Sequence, residues 1–140
     1  MITIKSFTFN PFQENTYIAF DESNECIIVD PGCYDREENK ILKSYIEEKH
    51  LKPVALINTH CHLDHVFGNK FVSDTFNLKP LMHKLDLPML EYAPLAATKY
   101  GVHLEELPEV EGFIEEGDAV KFGDSEFEII FTPGHAPGHI

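Results

Sequence analysis

The stretch Thr59-His60-Cys61-His62-Leu63-Asp64-His65 decides how this chain is read. Three imidazoles and a carboxylate fall within six positions, directly after the apolar run Val54-Ala55-Leu56-Ile57. Packing so many polar groups together is costly unless a cation binds them. Neutral imidazole and carboxylate are the donors that Zn²⁺ takes in hydrolytic sites. His60 and His62 are two residues apart, so an extended segment directs both rings to one side. The same alternation turns Cys61 away, and Cys61 reads as a small buried residue rather than a ligand or nucleophile.

On either side of this cluster the chain alternates between strand and helix patterns. Val54 to Asn58 is a short apolar strand after Pro53, and His65 to Phe76 can form the next helix. That order places the cluster at the C-terminal end of a strand, where open α/β sheets keep their active sites. Upstream, Ile2 to Phe9, Thr16 to Phe20 and Cys26 to Val29 read as strands, the last two joined as a hairpin through Asp21 to Glu25. Asp35 caps a helix to His50, with Glu38 three residues on and Ile41, Leu42, Tyr45 and Ile46 as its apolar face. Asp30, in Asp30-Pro31-Gly32, is either a turn residue or a carboxylate that orients a metal-binding histidine.

Downstream, Pro80 to His83 reads as a strand, with His83 structural. Leu85 to Tyr100, interrupted by Pro88 and Pro94, reads as short helices or a lid-like excursion, and Gly101 to Gly117 as an acidic loop with His103 in solvent. Ala119 to Phe122 and Phe127 to Phe131 form a second hairpin. It leads into Thr132-Pro133-Gly134-His135-Ala136-Pro137-Gly138-His139-Ile140.

The 140 residues make one domain's worth of chain. With 24 acidic against 11 basic residues, the net charge of −13 argues against nucleic acid or an anionic membrane as partner. Cys26, Cys33 and Cys61 are odd in number and form no C-x-x-C pair, which suits reduced thiols. Met1-Ile2-Thr3-Ile4-Lys5 lacks a signal-peptide pattern, and a cytoplasmic location is the expectation.

His135 follows a strand in a loop stiffened by Pro and Gly. With His60 and His62 it would give three neutral nitrogens around one Zn²⁺ and leave a fourth position for water, the composition of a catalytic site. Asp64 and His65 could begin a second site, but two protein ligands are too few to hold zinc tightly. One metal or fewer is therefore expected in this chain. His139 is assigned to packing or hydrogen bonding.

Four stretches resemble the metallo-β-lactamase superfamily, in particular its small glyoxalase II-like hydrolases. They are the cluster Thr59 to His65, Val29-Asp30-Pro31-Gly32, Thr132 to His135 with Gly138-His139-Ile140, and Phe12 to Tyr17. The resemblance implies an αββα sandwich of class α/β, with one domain over residues 1–140. It implies His60, His62 and His135 around a first metal and Asp64 and His65 around a second. The resemblance also implies that Asp64 would take part in catalysis and that a metal-bound hydroxide would attack an ester, thioester or amide carbonyl. Family members continue past Gly-His-Ile with a bridging Asp and a late His. The chain is therefore expected to be the N-terminal part of a longer domain, with the first sheet, its helices and the start of the second sheet.

These readings lead to a zinc-dependent ester or thioester hydrolase, impaired by its shortness, acting on a small acyl substrate. A mononuclear iron dioxygenase acting on a persulfide is one alternative, and a non-catalytic metal-binding or oligomerising fragment another. Apolar surfaces left uncovered predict a homodimer or higher oligomer.

Overall fold

A computed structural model describes residues 1–140. Three strands open the chain as an antiparallel meander: β1 (Thr3–Phe9), β2 (Glu14–Phe20) and β3 (Glu25–Val29). Then the connections change. Helix α1 (Arg36–Glu48) carries the chain over to β4 (Lys52–Ile57), which lies parallel to β3. Short helix α2 (Leu63–Val66) and α3 (Asn69–Phe76) lead to the parallel β5 (Pro80–Met82). Helix α4 (Leu87–Tyr100) precedes β6 (Gly112–Phe113), which closes a six-stranded sheet in the order β1 to β6. The pair β7 (Ala119–Phe122) and β8 (Ser125–Glu128) forms a second, antiparallel sheet.

The central strands are apolar on both faces because both faces are covered. Ile18, Ile28 and Leu56 stand in one cross-strand row and pack with Leu42 and Ile46 of α1 and Val72 of α3. Their neighbours Ala19, Ile27 and Ala55 form the opposite row and meet Val120 and Phe122 of β7, together with Ile129. A one-residue slip would exchange the two rows, so the register is firmly set. The layers are helix, sheet, sheet, as the α/β sandwich reading expects.

Asp35 caps α1 by accepting the Glu38 N–H at 2.9 Å. The second sheet is fastened at its turn by Asp21, whose buried carboxylate accepts the Asp124 N–H at 2.9 Å and the Ser125 hydroxyl at 2.7 Å. Beside it, Glu25 accepts the Gly123 N–H at 2.7 Å.

Three local expectations are corrected. Leu87–Tyr100 is one continuous helix, not a set of short ones. Pro88 lies in the first turn, where no N–H is needed, and Pro94 is tolerated because Leu90, Ala93, Ala96 and Ala97 are buried against Met82 and α2. Gly101, at φ +68°, ends the helix in the left-handed conformation that glycine favours. The helix expected over His65 to Phe76 starts at Leu63 and breaks at Phe67-Gly68, where the Gly68 N–H reaches the Pro31 carbonyl at 2.7 Å. The loop expected over Gly101 to Gly117 contains β6, too short to carry a periodic signal.

Candidate metal centre

The loops after β3, β4 and β8 meet at one point, and each brings part of the centre. Asp30 sits just beyond β3 at φ +51°, a left-handed conformation that Asp tolerates better than most residues. Its carboxylate accepts the Thr59 N–H at 2.7 Å and the Thr59 hydroxyl at 2.5 Å. With that hydroxyl proton committed, Thr59 Oγ1 accepts from His60 Nδ1, 2.9 Å away. The network assigns the proton to Nδ1 and leaves Nε2 as a bare lone pair. His60 Nε2 is buried and has no hydrogen-bond partner. A carboxylate and a hydroxyl holding one ring nitrogen while the other stays free is how proteins orient a metal-binding imidazole.

Around that free nitrogen the ligand atoms of His60, His62 and His135 lie within 4.8 Å of one another. Asp30, His60 and His65 form a second group at the same spacing, so His60 belongs to both. The His62 and His60 ring centroids are 4.9 Å apart, and His135 is 4.9 Å from His60 and 4.6 Å from His62. The donor set fits a divalent cation of the zinc type: three imidazoles with their ring nitrogens close together and a buried lone pair among them.

His65 is set differently. Its Nδ1 is 3.1 Å from an Asp30 oxygen and 3.5 Å from Glu14, within ion-pair distance but without hydrogen-bond alignment. Asp64 stands on the far side of the ring, 3.5 Å from Nε2. His139 also joins the group, its ring 4.7 Å from His60 and its Nδ1 2.8 Å from the Thr132 hydroxyl.

The electrostatics separate these imidazoles. Burial, followed by the neighbouring histidines, pushes His60 down to about 2, so its ring is neutral and ready to ligate. Burial and then His135 push His62 down as well. For His65, burial works downward, but Asp30 and Asp64 outweigh it and the net direction is up.

Two buried carboxyl groups escaped the sequence reading. Glu14, 3% exposed, touches the Thr16 hydroxyl at 2.8 Å, and burial raises its carboxyl to about 9. Thr16 Oγ1 also accepts the Gly32 N–H and lies 2.9 Å from the Asp30 carbonyl, to which it donates. A protonated Glu14 donating to Thr16 completes that network. Asp86, fully buried at the start of α4, accepts the backbone N–H groups of Cys61 and Gly138. The Asp-Leu-Pro order was a legible helix-start signal for Asp86, but nothing in it pointed to the ligand loops. Cys61 is fully buried as expected, and His83 stacks on Phe131 at 4.6 Å. His103 is exposed beside Glu105.

A cavity of about 410 Å³ opens beside the centre, lined by Phe12, His62, Asp64, Met89, Tyr92 and Ala96 among others. It is apolar except at the end where His62 and Asp64 stand.

The family model described as the metallo-beta-lactamase superfamily matches residues 9–140. The chain is similar to the probable metallo-hydrolase YqgX of Bacillus subtilis, 30% identical over 93% of this chain and 60% of that protein. It is similar to the hydroxyacylglutathione hydrolase GloC of Haemophilus influenzae, 31% identical over 99% of this chain and 65% of that one. Among solved structures, TTHA1623 in a di-iron-bound form is 34% identical, with a TM-score of 0.80 over 96% of this chain and 64% of its own. The chain thus spans about 60–65% of the length of these relatives.

Proposed function

The chain belongs to the metallo-beta-lactamase superfamily, and on that footing we propose that it is a zinc-dependent hydrolase of ester or thioester bonds in small acyl substrates. The observation that carries this reading is His60 Nε2, buried and partnerless, with its ring fixed through Thr59 by Asp30. His60, His62 and His135 would hold the ion. Zn²⁺, when bound in such a site, supplies Lewis acidity and lowers the pKa of water to about 7. Asp64 opens onto the cavity beside His62, placed to accept a proton from water or to help hold a second cation. The apolar walls from Phe12, Met89 and Tyr92 suit the acyl part of a substrate and exclude water from it.

Support for acyl substrates comes from the relative named as a hydroxyacylglutathione hydrolase. Zinc is preferred for the donor set, although the relative TTHA1623 was solved with two irons. The test is thiol release from S-acyl thioesters by the zinc-loaded chain. Release that disappears with a chelator or in His60→Ala, and returns on adding Zn²⁺ to the unsubstituted chain, is expected. A fully metal-loaded chain that releases no thiol above the blank would overturn the proposal. Elemental analysis separates a zinc enzyme from an iron one.

A further inference from the structure

We propose that Asp86 is a positioning residue of the metal centre, its single carboxylate tying the loop of His60 and His62 to the loop of His135. One oxygen accepts the Cys61 N–H, between His60 and His62. The other accepts the Gly138 N–H at 3.0 Å, three residues beyond His135 and next to His139. The two loops are otherwise joined across this gap by few polar contacts, among them Ile140 N–H to the Thr59 carbonyl at 3.0 Å.

Two further features mark this use of Asp86. Aspartate at a helix start ordinarily accepts an N–H of its own first turn. Asp86 makes no such bond, and Pro88 takes the second helical position of α4 with no N–H to offer. Both oxygens are therefore free for the loops. Gly138 allows the close approach, since a Cβ there would lie 2.6 Å from the Asp86 backbone nitrogen and 2.8 Å from its Cβ. Asp86 is completely buried and no cationic side chain pairs with it. A buried carboxylate is costly to keep, and backbone N–H donors are its compensation.

The consequence is geometric. His62 and His135 come from distant parts of the chain, and Asp86 fixes the distance between the backbones that carry them. Asp86→Asn keeps the size of the side chain but sets an NH₂ against one of the two N–H donors, so one loop is released.

This inference rests on His60, His62 and His135 being ligands. The experiment measures the Zn²⁺ dissociation constant by competition with a chromophoric chelator for the parent chain, Asp86→Asn, His60→Ala, His135→Ala and the double variant of Asp86→Asn with His135→Ala. Asp86→Asn is expected to weaken Zn²⁺ binding about 10- to 100-fold, the range for residues that orient ligands. In the His135→Ala background the same substitution should change binding by less than about twofold, because the partner it positions is gone. Unchanged affinity in folded Asp86→Asn, or an equal loss in both backgrounds, would overturn the proposal. If circular dichroism shows Asp86→Asn unfolded, Gly138→Ala replaces it, with the same expected loss and the same overturning results. If neither His60→Ala nor His135→Ala alters Zn²⁺ binding, the ligand assignment fails instead. Amide exchange then reads the tie alone: faster exchange at Cys61 and Gly138 in the variant supports it, and unchanged exchange refutes it.

Discussion

His62 Nδ1 lies 3.1 Å from His135 Nε2, although 73 positions separate the two residues in the chain. Two ring nitrogens this close share either one proton or one cation, and burial together with the neighbouring ring already disfavours the charged form of His62. Adding Zn²⁺ is therefore expected to raise the melting temperature, by mass action on the folded state. At a free concentration about 100 times the dissociation constant the gain is about 2.7 kcal/mol. Calorimetry on the parent chain, His62→Ala and His135→Ala checks this, and the gain should shrink in both variants. Equilibrium dialysis should find one zinc or fewer per chain. Two tightly held ions would contradict the ligand count.

Asp30 reaches the centre through Thr59 and lies against His65. Asp30→Asn keeps a residue that tolerates φ +51° but removes the charge and sets an NH₂ against one of the two Thr59 donors. Zinc affinity should fall about 10- to 100-fold, with the fold retained. The chelator competition assay reads the first and circular dichroism the second.

Asp21 locks the second sheet onto the first, and its hydrogen bonds from Ser23 and Ser125 hold its carboxyl below the usual range. A depressed folded-state value means the stabilisation is present above the ordinary pKa of about 3.9 and is lost as pH falls through the lower folded value. The parent chain should therefore exceed Asp21→Asn in urea midpoint at pH 7 and at pH 5, with the gap narrowing below pH 4. A gap that stays constant into strong acid would show that the charge is not involved.

Glu14 titrates the other way. Its folded value of about 9 lies above the unfolded value of about 4.3, so its contribution is complete below the latter and is lost as pH rises through the former. In the metal-free chain, Glu14→Gln should flatten the fall in stability between those two pH values. Urea unfolding across that range decides it.

Gly68 admits no side chain, because a Cβ would sit 2.7 Å from the Pro31 carbonyl oxygen and against Cys33 Sγ. Gly68→Ala should cost about 1–3 kcal/mol through overpacking, read from chemical denaturation.

An apolar cleft of about 350 Å³ runs between the first sheet and the end of the chain, lined by Ile4, Tyr17, Val29, Ile57, Ile130 and Ile140 among others. Ile4 is 59% and Ile130 61% exposed, an uncommon fate for isoleucines that share one groove. We expect the chain to self-associate through this face. Sedimentation should show dimers or larger species, and Ile130→Lys should shift them toward monomer. A compact monomer at high concentration would remove the expectation.

Much of the fold was legible because it is written in local pattern. The doubled apolar rows of β2, β3 and β4, the cap at Asp35 and the turn at Gly123 are all short-range signals. The helix Leu87–Tyr100 was obscured by Pro94, whose cost is outweighed by burial that only the packed protein reveals. Strand β6 exists because β5 offers it an edge, and Gly112-Phe113 alone carries no strand pattern.

No helix is long and apolar enough to cross a membrane.

What the sequence determined by itself is the chemistry of the cluster: His60, His62, Asp64 and His65 at fixed spacing after a buried strand, in a family recognisable from those residues. Side-chain type and alternation are enough for that. Only the tertiary structure decided that His60 is held through Thr59 by Asp30, that Glu14 lies against His65, and that Asp86 binds both ligand loops. The reason is physical. The last of these contacts runs from a carboxylate to backbone N–H groups, and a backbone N–H is the same at every residue but proline. Such a bond leaves no trace in the order of amino acids until the chain has folded.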